Sequence, residues 1–483
     1  MIHGLMNLRR ILFCCCFVLA ASAFARAPKY LILFIGDGMS TPQRMIADEF
    51  SRKVGRGPLA MDTLPYQAVT RTCSANSLVT DSAAAATAIA CGVKTQNGRL
   101  GVDATGARAV SCAEVAKAQG RKVGIVTSVT VTHATPGGFY AHRTNRGDTY
   151  GIALELADSG FDFFAGGGLG VSDKASRTHA QYATCGDAYA YCEKKGYQIV
   201  TTRAAFLALK PGCGKILTKF VNGPLDYTID VTPETNQPTL AELTSKAIEV
   251  LDGDAGFFMM VEGGRIDWAG HANDAATNLR DVLALDSAVQ VALDFQQKHP
   301  DETLVVVTGD HETGGLSMGF SGTGYALYME RLAGQTMSVG VFDSTVRKLN
   351  PTQFDDVKPL ITQAFGLKFP PADAAAAKVA SAKEPMLLTA SELDEIRRAY
   401  DHDVAFHKAK VEENTKYDGE KRYLLGGVCR LIVSHKSGIG WSSAHHTALP
   451  VLTSAKGCGA ERFVGYMENT DIARKIKALY DGK

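Results

Sequence analysis

The chain runs to 483 residues, with 46% apolar and 21% charged residues and with 48 Gly and 16 Pro spread along it, a balance that excludes disordered, collagen-like and low-complexity classes. Lys plus Arg number 51 against 50 Asp plus Glu, a formal charge of +1 with His neutral, so the basic excess of a nucleic-acid or anionic-membrane binder is missing. At about 150 residues per domain the length allows roughly three units, although large α/β enzymes of this size often fold as one.

Arg9 and Arg10 precede an apolar stretch from Ile11 to Ala23, no acidic residue occurs before Asp37, and Ala23-Phe24-Ala25 has the small-x-small form of a signal-peptidase site. Residues 1–25 therefore read as a secretory signal, with the mature chain, residues 26–483, beginning near Arg26 and residing in a periplasm or outside the cell. The apolar run is too short to span a membrane comfortably, and no second run of 18 or more follows. Export changes how the cysteines read. Eight lie beyond residue 25, an even number that favours disulfides in an oxidising compartment, and Cys185 with Cys192, closing a short loop, are the best pair for one bridge. No C-x-x-C pair exists, which argues against a cysteine zinc site.

Further along, Lys29 to Ile35, Val123 to Ser128, Phe257 to Val261, Leu304 to Thr308 and Cys429 to Ser434 are short continuous apolar runs, as expected of strands covered on both faces. Asn278 to Gln297 carries Val282, Leu285, Val289 and Leu293 at helical spacing. Alternating strands and helices argue for a layered α/β sheet. The segment 319–423, with an Ala-rich stretch at 372–380 and a charged run from Asp401 to Arg422, breaks that rhythm and reads as an insertion on one rim, its charged part a solvated helix. Substrate gating or a subunit contact is the functional alternative to a purely structural role.

The chemistry-bearing residues follow the strands. Gly36-Asp37-Gly38 comes after the first run, Glu262-Gly263-Gly264-Arg265-Ile266-Asp267 and then His271 after the third, and Gly309-Asp310-His311-Glu312 after the fourth. Ligands collect at the carboxyl ends of strands in open α/β sheets, so these groups would converge on one rim. Singly, each has a plain structural reading: a Gly-Asp-Gly turn, a capping or hydrogen-bonded Asp-His, an i,i+4 pair on a helix surface. Jointly, Asp with neutral His suits Zn2+ and a carboxylate-rich neighbour suits Mg2+. Ser82 precedes an Ala-rich helix former and is either its N-cap or a nucleophile held where a helix start and a metal favour an anion. His133 and Thr135 could complete a third cation site, Arg146 offers a planar fork for phosphate, and Ala444-His445-His446-Thr447 supplies further imidazole.

From Leu31 to His446 these six motifs resemble, in order, the alkaline phosphatase family of metal-dependent phosphomonoesterases. The resemblance implies a three-layer αβα fold with a large, mostly parallel central sheet, a crown-like insertion where 319–423 lies, and a homodimer. It implies that Ser82 is the phosphorylated nucleophile and Arg146 the phosphate-binding arginine. Asp267, His271 and His446 resemble the ligands of one Zn2+, and Asp37, Asp310 and His311 those of a second, with Ser82 as the exchangeable ligand. Glu262 and Thr135, sharing Asp37, resemble the holders of Mg2+. His446 rather than His445 is chosen because Thr447 follows it, as in the family's pattern. Two departures bear on the third site. His133 stands where many bacterial members carry an acid, which makes Zn2+ an alternative to Mg2+ there, and Trp268 replaces a common Lys or His. The rivals are another hydrolase of the same fold, a phosphodiesterase or sulfatase, and an exported metal- or phosphate-binding protein without turnover. Four alanines after Ser82 count against the C/S-x-P-x-R setting of sulfatases.

Overall fold

A computed structural model describes residues 27–482 apart from 233, 372, 374–382 and 409–423. Its strands are β1 (Tyr30–Gly36), β2 (Tyr66–Arg71), β3 (Lys122–Thr127), β4 (Phe163–Ala165), β5 (Tyr197–Val200), β6 (Lys215–Thr218), β7 (Phe257–Gly263), β8 (Thr303–Gly309), β9 (Glu312–Thr313), β10 (Leu316–Met318), β11 (Ile439–Trp441), β12 (His446–Thr447), β13 (Val451–Gly457) and β14 (Gly465–Glu468). Ten of them form one sheet in the order β14-β2-β13-β8-β1-β7-β3-β4-β6-β5. Every pairing in it is parallel except those of β13, which runs against β2 and β8. β9 pairs with β12 and β10 with β11 in two small antiparallel ribbons.

β1, β7 and β8 are buried along their whole length, the reason their sequences are continuous apolar runs rather than alternating ones. Successive residues feed opposite layers. Tyr30, Ile32 and Phe34 join one hydrophobic cluster, with helices Thr41–Lys53, Leu240–Leu251 and Ala275–Lys298. Leu31, Leu33 and Ile35 join the other, with helices Ser82–Cys91, Cys112–Ala118, Thr149–Asp158 and Thr470–Tyr480. The architecture is therefore the expected three-layer αβα. The expected long helix is present but longer, Ala275–Lys298, because Asp274 caps it by accepting from the Thr277 amide.

Two expectations are corrected. The run from Cys429 to Ser434 is not a strand but lies inside helix Leu425–Ser437, which ends on left-handed Gly438. Leu425, Cys429, Ile432 and Val433 recur at helical spacing and fill the same core cluster as the sheet, and so short a mostly apolar segment does not distinguish the two states. Cys73, Cys91, Cys112, Cys185, Cys192, Cys213 and Cys429 are free, so the Cys185–Cys192 bridge is not formed. Cys185 ends helix Tyr182–Cys185, Gly186 reverses the chain with φ 72°, and Asp187 starts helix Ala188–Lys194, which buries Cys192 in the core.

Within 319–423, helices Val339–Leu349, Lys358–Phe365 and Ala390–Lys408 bury Phe342, Ile361 and Ile396 in the cluster that holds Ile432, and the described residues add no strand to the large sheet. Residues 1–25, nearly all of 372–380 and 409–422 of the charged run fall outside the described residues. No helix among the described residues is long and apolar enough to cross a membrane.

Candidate active site

The three central strands end level. Gly36 of β1 pairs with Gly263 of β7 and with Gly309 of β8, so the residues that follow emerge on one rim. Close packing requires glycine here: a Cβ on Gly309 would sit 2.0 Å from the Met39 carbonyl oxygen. Gly38, at φ 71°, lies against the next strand end, where a Cβ would meet Thr313 Oγ1 at 2.7 Å and Asp267 Cα at 2.9 Å. Asp37 thus leaves β1 beside Asp267 and His271, one turn apart on helix Arg265–His271, and beside Asp310 and His311 after β8. Ser82 is the first residue of its helix and not its cap. That role belongs to Asp81, which accepts from the Ala84 amide at 2.9 Å.

The predicted ligands gather in three groups, Asp267 with His271 and His446, Asp37 with Asp267 and His311, and Asp37 with Glu262 and His133, so Asp267 stands in the second group where Asp310 was expected, and Asp310 approaches it through His311. In the first, Asp267 Oδ2 lies 3.4 Å from His271 Nε2 and Oδ1 lies 3.5 Å from His446 Nε2, and the two Nε2 atoms are 3.2 Å apart. Each imidazole uses Nδ1 on a backbone carbonyl, His271 on Ala444 at 2.6 Å and His446 on Thr80 at 2.9 Å, so in the neutral form both Nε2 lone pairs face Asp267. His445 is exposed, with its ring centre 6.4 Å from that of His271, which leaves His446 as the imidazole of this group. In the second group, His311 Nε2 is 3.3 Å from Asp37 Oδ1, 3.5 Å from Asp310 Oδ2 and 3.2 Å from Ser82 Oγ, while Ser82 Oγ is 3.4 Å from Asp37 Oδ1. Asp37 bridges to the third group through Oδ2, 3.4 Å from Thr135 Oγ1 and 3.8 Å from His133 Nδ1, and the latter is 3.8 Å from Glu262 Oε1. Arg146 closes the rim, donating to Asp81 Oδ2 at 3.1 Å and lying 3.4 Å from His133 Nε2.

Four buried carboxylates, Asp37, Glu262, Asp267 and Asp310, share this rim. Burial, reinforced by Asp310, Asp267 and Glu262, pushes the Asp37 carboxyl well above the usual range. Burial likewise raises Asp310 to about 7, against the amide of Gly38 that donates to it. At Asp267 burial acts in the same direction, but His271 and His446 overcome it and hold that carboxyl well below the usual range. His271 mirrors this: burial would lower it, yet Asp267 raises it to about 8, and Asp267 raises His446 in the same way. Burial, aided by His446, drives His311 well below its ordinary value and keeps it neutral.

The donor set fits divalent cations. Asp310 Oδ2 and Glu262 Oε1 are buried acceptors without a hydrogen-bond partner, each on a carboxylate whose other oxygen is engaged, Asp310 by the amides of Gly38 and His311 and Glu262 by the Thr127 hydroxyl. Buried acceptors with nothing to accept from are costly, and a cation held by Asp, Glu and His is the chemistry that relieves them. Sequence reasoning missed the groups that orient these ligands. Thr313 Oγ1 donates to Asp267 at 2.5 Å and lies 3.3 Å from His311 Nδ1, and Asp81 anchors Arg146. Lone hydroxyl residues carry no pattern, although Thr313 directly follows the Asp-His-Glu run.

An αβα sheet whose rim gathers a serine, an arginine and three acid-imidazole groups defines a metal-dependent hydrolase. The model of the alkaline phosphatase family matches residues 28–481. Alkaline phosphatase 3 of Bacillus subtilis is 32% identical over 470 residues, covering 93% of this chain and 89% of the relative. A cold-active alkaline phosphatase from a psychrophilic Shewanella superposes with a TM-score of 0.75 at 28% identity, covering 93% of this chain and 99% of that one. A histidine-to-aspartate mutant of the alkaline phosphatase from the Antarctic bacterium TAB5, described with Mg bound in its M3 site, superposes with a TM-score of 0.62 at 25% identity, covering 95% and 99%. The chain belongs to the alkaline phosphatase family and is an enzyme of it.

Proposed function

We propose that the protein hydrolyses phosphate monoesters through a phosphoserine at Ser82, after export to a periplasm or out of the cell, and as a homodimer. The observation that carries the reading is Ser82 Oγ within 3.4 Å of both Asp37 Oδ1 and His311 Nε2, on the rim where Arg146 also lies. Asp267, His271 and His446 would hold one Zn2+, Asp37, Asp310 and His311 the second, and Asp37, Glu262 and Thr135 a Mg2+, or Zn2+ where His133 takes part. Bound there, these ions supply the positive charge that ionises a serine hydroxyl, neutralises a leaving oxygen and activates water.

This chain's residues do the rest. Ser82 Oγ gives up its proton to water and forms a bond to phosphorus as the ester P–O bond breaks, and the leaving alkoxide takes a proton back from water. Water then attacks phosphoserine in line, the Oγ–P bond breaks, inorganic phosphate departs and Ser82 is reprotonated. Arg146 uses two of its N–H donors on Asp81 and His133, and the others have no partner among the described residues, leaving a planar fork for non-bridging phosphate oxygens. Transition-state charge spreads over those oxygens, so positioning and electrostatics supply most of the rate. Hydrolysis of a chromogenic aryl phosphate, lost with chelator and restored by Zn2+ and Mg2+, tests the reading. Preferential turnover of an aryl sulfate or a phosphodiester would overturn it.

A further inference from the structure

Glu312, the acid that follows Asp310 and His311, belongs to none of the three ligand groups. It is nonetheless wholly buried, and both of its oxygens are engaged. Oε1 accepts from Gln43 Nε2 at 2.7 Å and from the Leu316 amide at 3.1 Å. Oε2 accepts from the Gly315 amide at 3.0 Å and from the Thr447 hydroxyl. Gln43 in turn donates to the Thr313 carbonyl and accepts from the Ser40 amide, each at 3.0 Å. Burying a carboxylate is costly, and four donors offset that cost with strong, directional bonds. The result joins three segments that meet only in the fold: the start of helix Thr41–Lys53 just beyond Asp37, the turn after β8, and β12.

β12 is the segment that needs holding. It carries His446, and the Ala444 carbonyl just before it fixes His271 Nδ1, so residues 444–446 set both imidazoles of the Asp267 group. Yet no residue from 441 to 450 is buried. Apolar packing does not place this stretch, which leaves hydrogen bonds to do so. Pairing with β9 and the bond from the Gly314 amide to the His445 carbonyl set its register. The Thr447 hydroxyl on Glu312 adds a side-chain anchor one residue from His446 and one residue from His311. By contrast, Asp37, Glu262, Asp310 and His311 are all fully buried, and the other two groups are placed without the ribbon.

We propose that Glu312 is a positioning residue that acts through Thr447, clamping the ribbon so that His446 and His271 face Asp267 closely enough to hold a cation. The clamp governs the affinity of the Asp267 group and not that of the other two. The inference rests on the ligand groups proposed above and not on the phosphoserine chemistry.

The test is withdrawal of Zn2+ from the loaded full-length protein by a chromophoric chelator, which reads affinity without turnover. Thr447→Val removes the hydroxyl, keeps the shape and leaves Glu312 its three other donors. It should weaken one bound equivalent about tenfold or more, the usual cost of losing a group that orients a metal ligand, and leave the others as in the parent. Thr447→Ser keeps the hydroxyl and should restore the parent's affinity. In a His446→Ala background, where the Asp267 group is already broken, Thr447→Val should add nothing further. Glu312→Gln replaces one accepting oxygen with a donor and should weaken the same equivalent, with no additional loss when combined with Thr447→Val. Equal Zn2+ retention in parent and Thr447→Val, weakening of every equivalent alike, or failure of Thr447→Ser to restore the parent would each overturn the proposal. A parent that holds Zn2+ in these groups yet hydrolyses no phosphate monoester would overturn the proposed function and leave the clamp standing.

Discussion

His133→Asp carries a calculable consequence. Arg146 lies against His133 Nε2, so the tautomer that accepts from the guanidinium turns Nδ1–H towards Asp37 and Glu262, each 3.8 Å away. Without a cation this position therefore offers the third group a donor, and imidazole becomes a ligand only by giving up that Nδ1 proton. An aspartate there adds a full charge about 4 Å from Glu262 and Asp37, and at an effective dielectric near 20 a like-charge pair costs about 4 kcal/mol before relaxation with whichever of the two is ionised. Without metal the variant should take up a proton or melt earlier. With Mg2+ the same arithmetic doubles in sign-reversed form, about 8 kcal/mol between the new carboxylate and the ion. If only a quarter survives relaxation and screening, about 2 kcal/mol remains, roughly thirtyfold in the Mg2+ dissociation constant. Activity and melting temperature titrated with Mg2+ on Zn2+-loaded parent and variant provide the assay. The variant should respond at far lower Mg2+ and regain its lost stability, while the parent responds weakly. Superimposable titrations would refute both the charge argument and the assignment of His133 to this site.

Ser82→Ala should abolish acid-trapped phosphoserine and steady-state turnover while metal content stays close to the parent's, because the Asp and His residues hold the ions. Labelling of the variant would remove Ser82 from its role. The protein lacking residues 1–25 should show at least seven reactive thiols when denatured without reductant, since Cys73, Cys91, Cys112, Cys185, Cys192, Cys213 and Cys429 are free. Six thiols or fewer would restore the disulfide expectation. Metal uptake by stripped protein should release protons and tighten from pH 6 to 8.5. Asp310 near 7, the raised Asp37 and His271 near 8 hold protons at the acid end that a ligand must lose, so calorimetric heats should vary with buffer ionisation enthalpy.

Much of this was legible because the sheet is buried on both faces. β1, β3, β7 and β8 stand out as apolar runs, and the chemistry follows their ends. β2 was not legible: between β14 and β13, its exposed and buried residues interleave, so no apolar run marks it. Helix Leu425–Ser437 was misread because Cys429, Leu431, Ile432 and Val433 crowd four apolar residues into five positions. In the site, ligands that sit beside glycines at strand ends were readable, as was Ser82. The partners that aim them were not, since Thr127 reaches Glu262 across 135 positions and Asp81 reaches Arg146 across 65. Such pairs exist only once the chain has folded.

Without cations, the first and second groups reach charge balance by opposite routes. The Asp267 group keeps its carboxylate ionised by protonating imidazole, whereas Asp37 and Asp310 hold their own protons and leave His311 neutral. Both routes store the protons that metal must displace, and the values about 7 and about 8 put their release in neutral to mildly alkaline solution. Asp37 couples the groups, since one of its oxygens faces His311 and the other faces Thr135 and His133. Loading either side therefore draws the bridging carboxylate into its ionised form and favours loading of the other. The level ends of β1, β7 and β8 make this possible by delivering acids from three distant segments to one rim, where none could remain ionised alone.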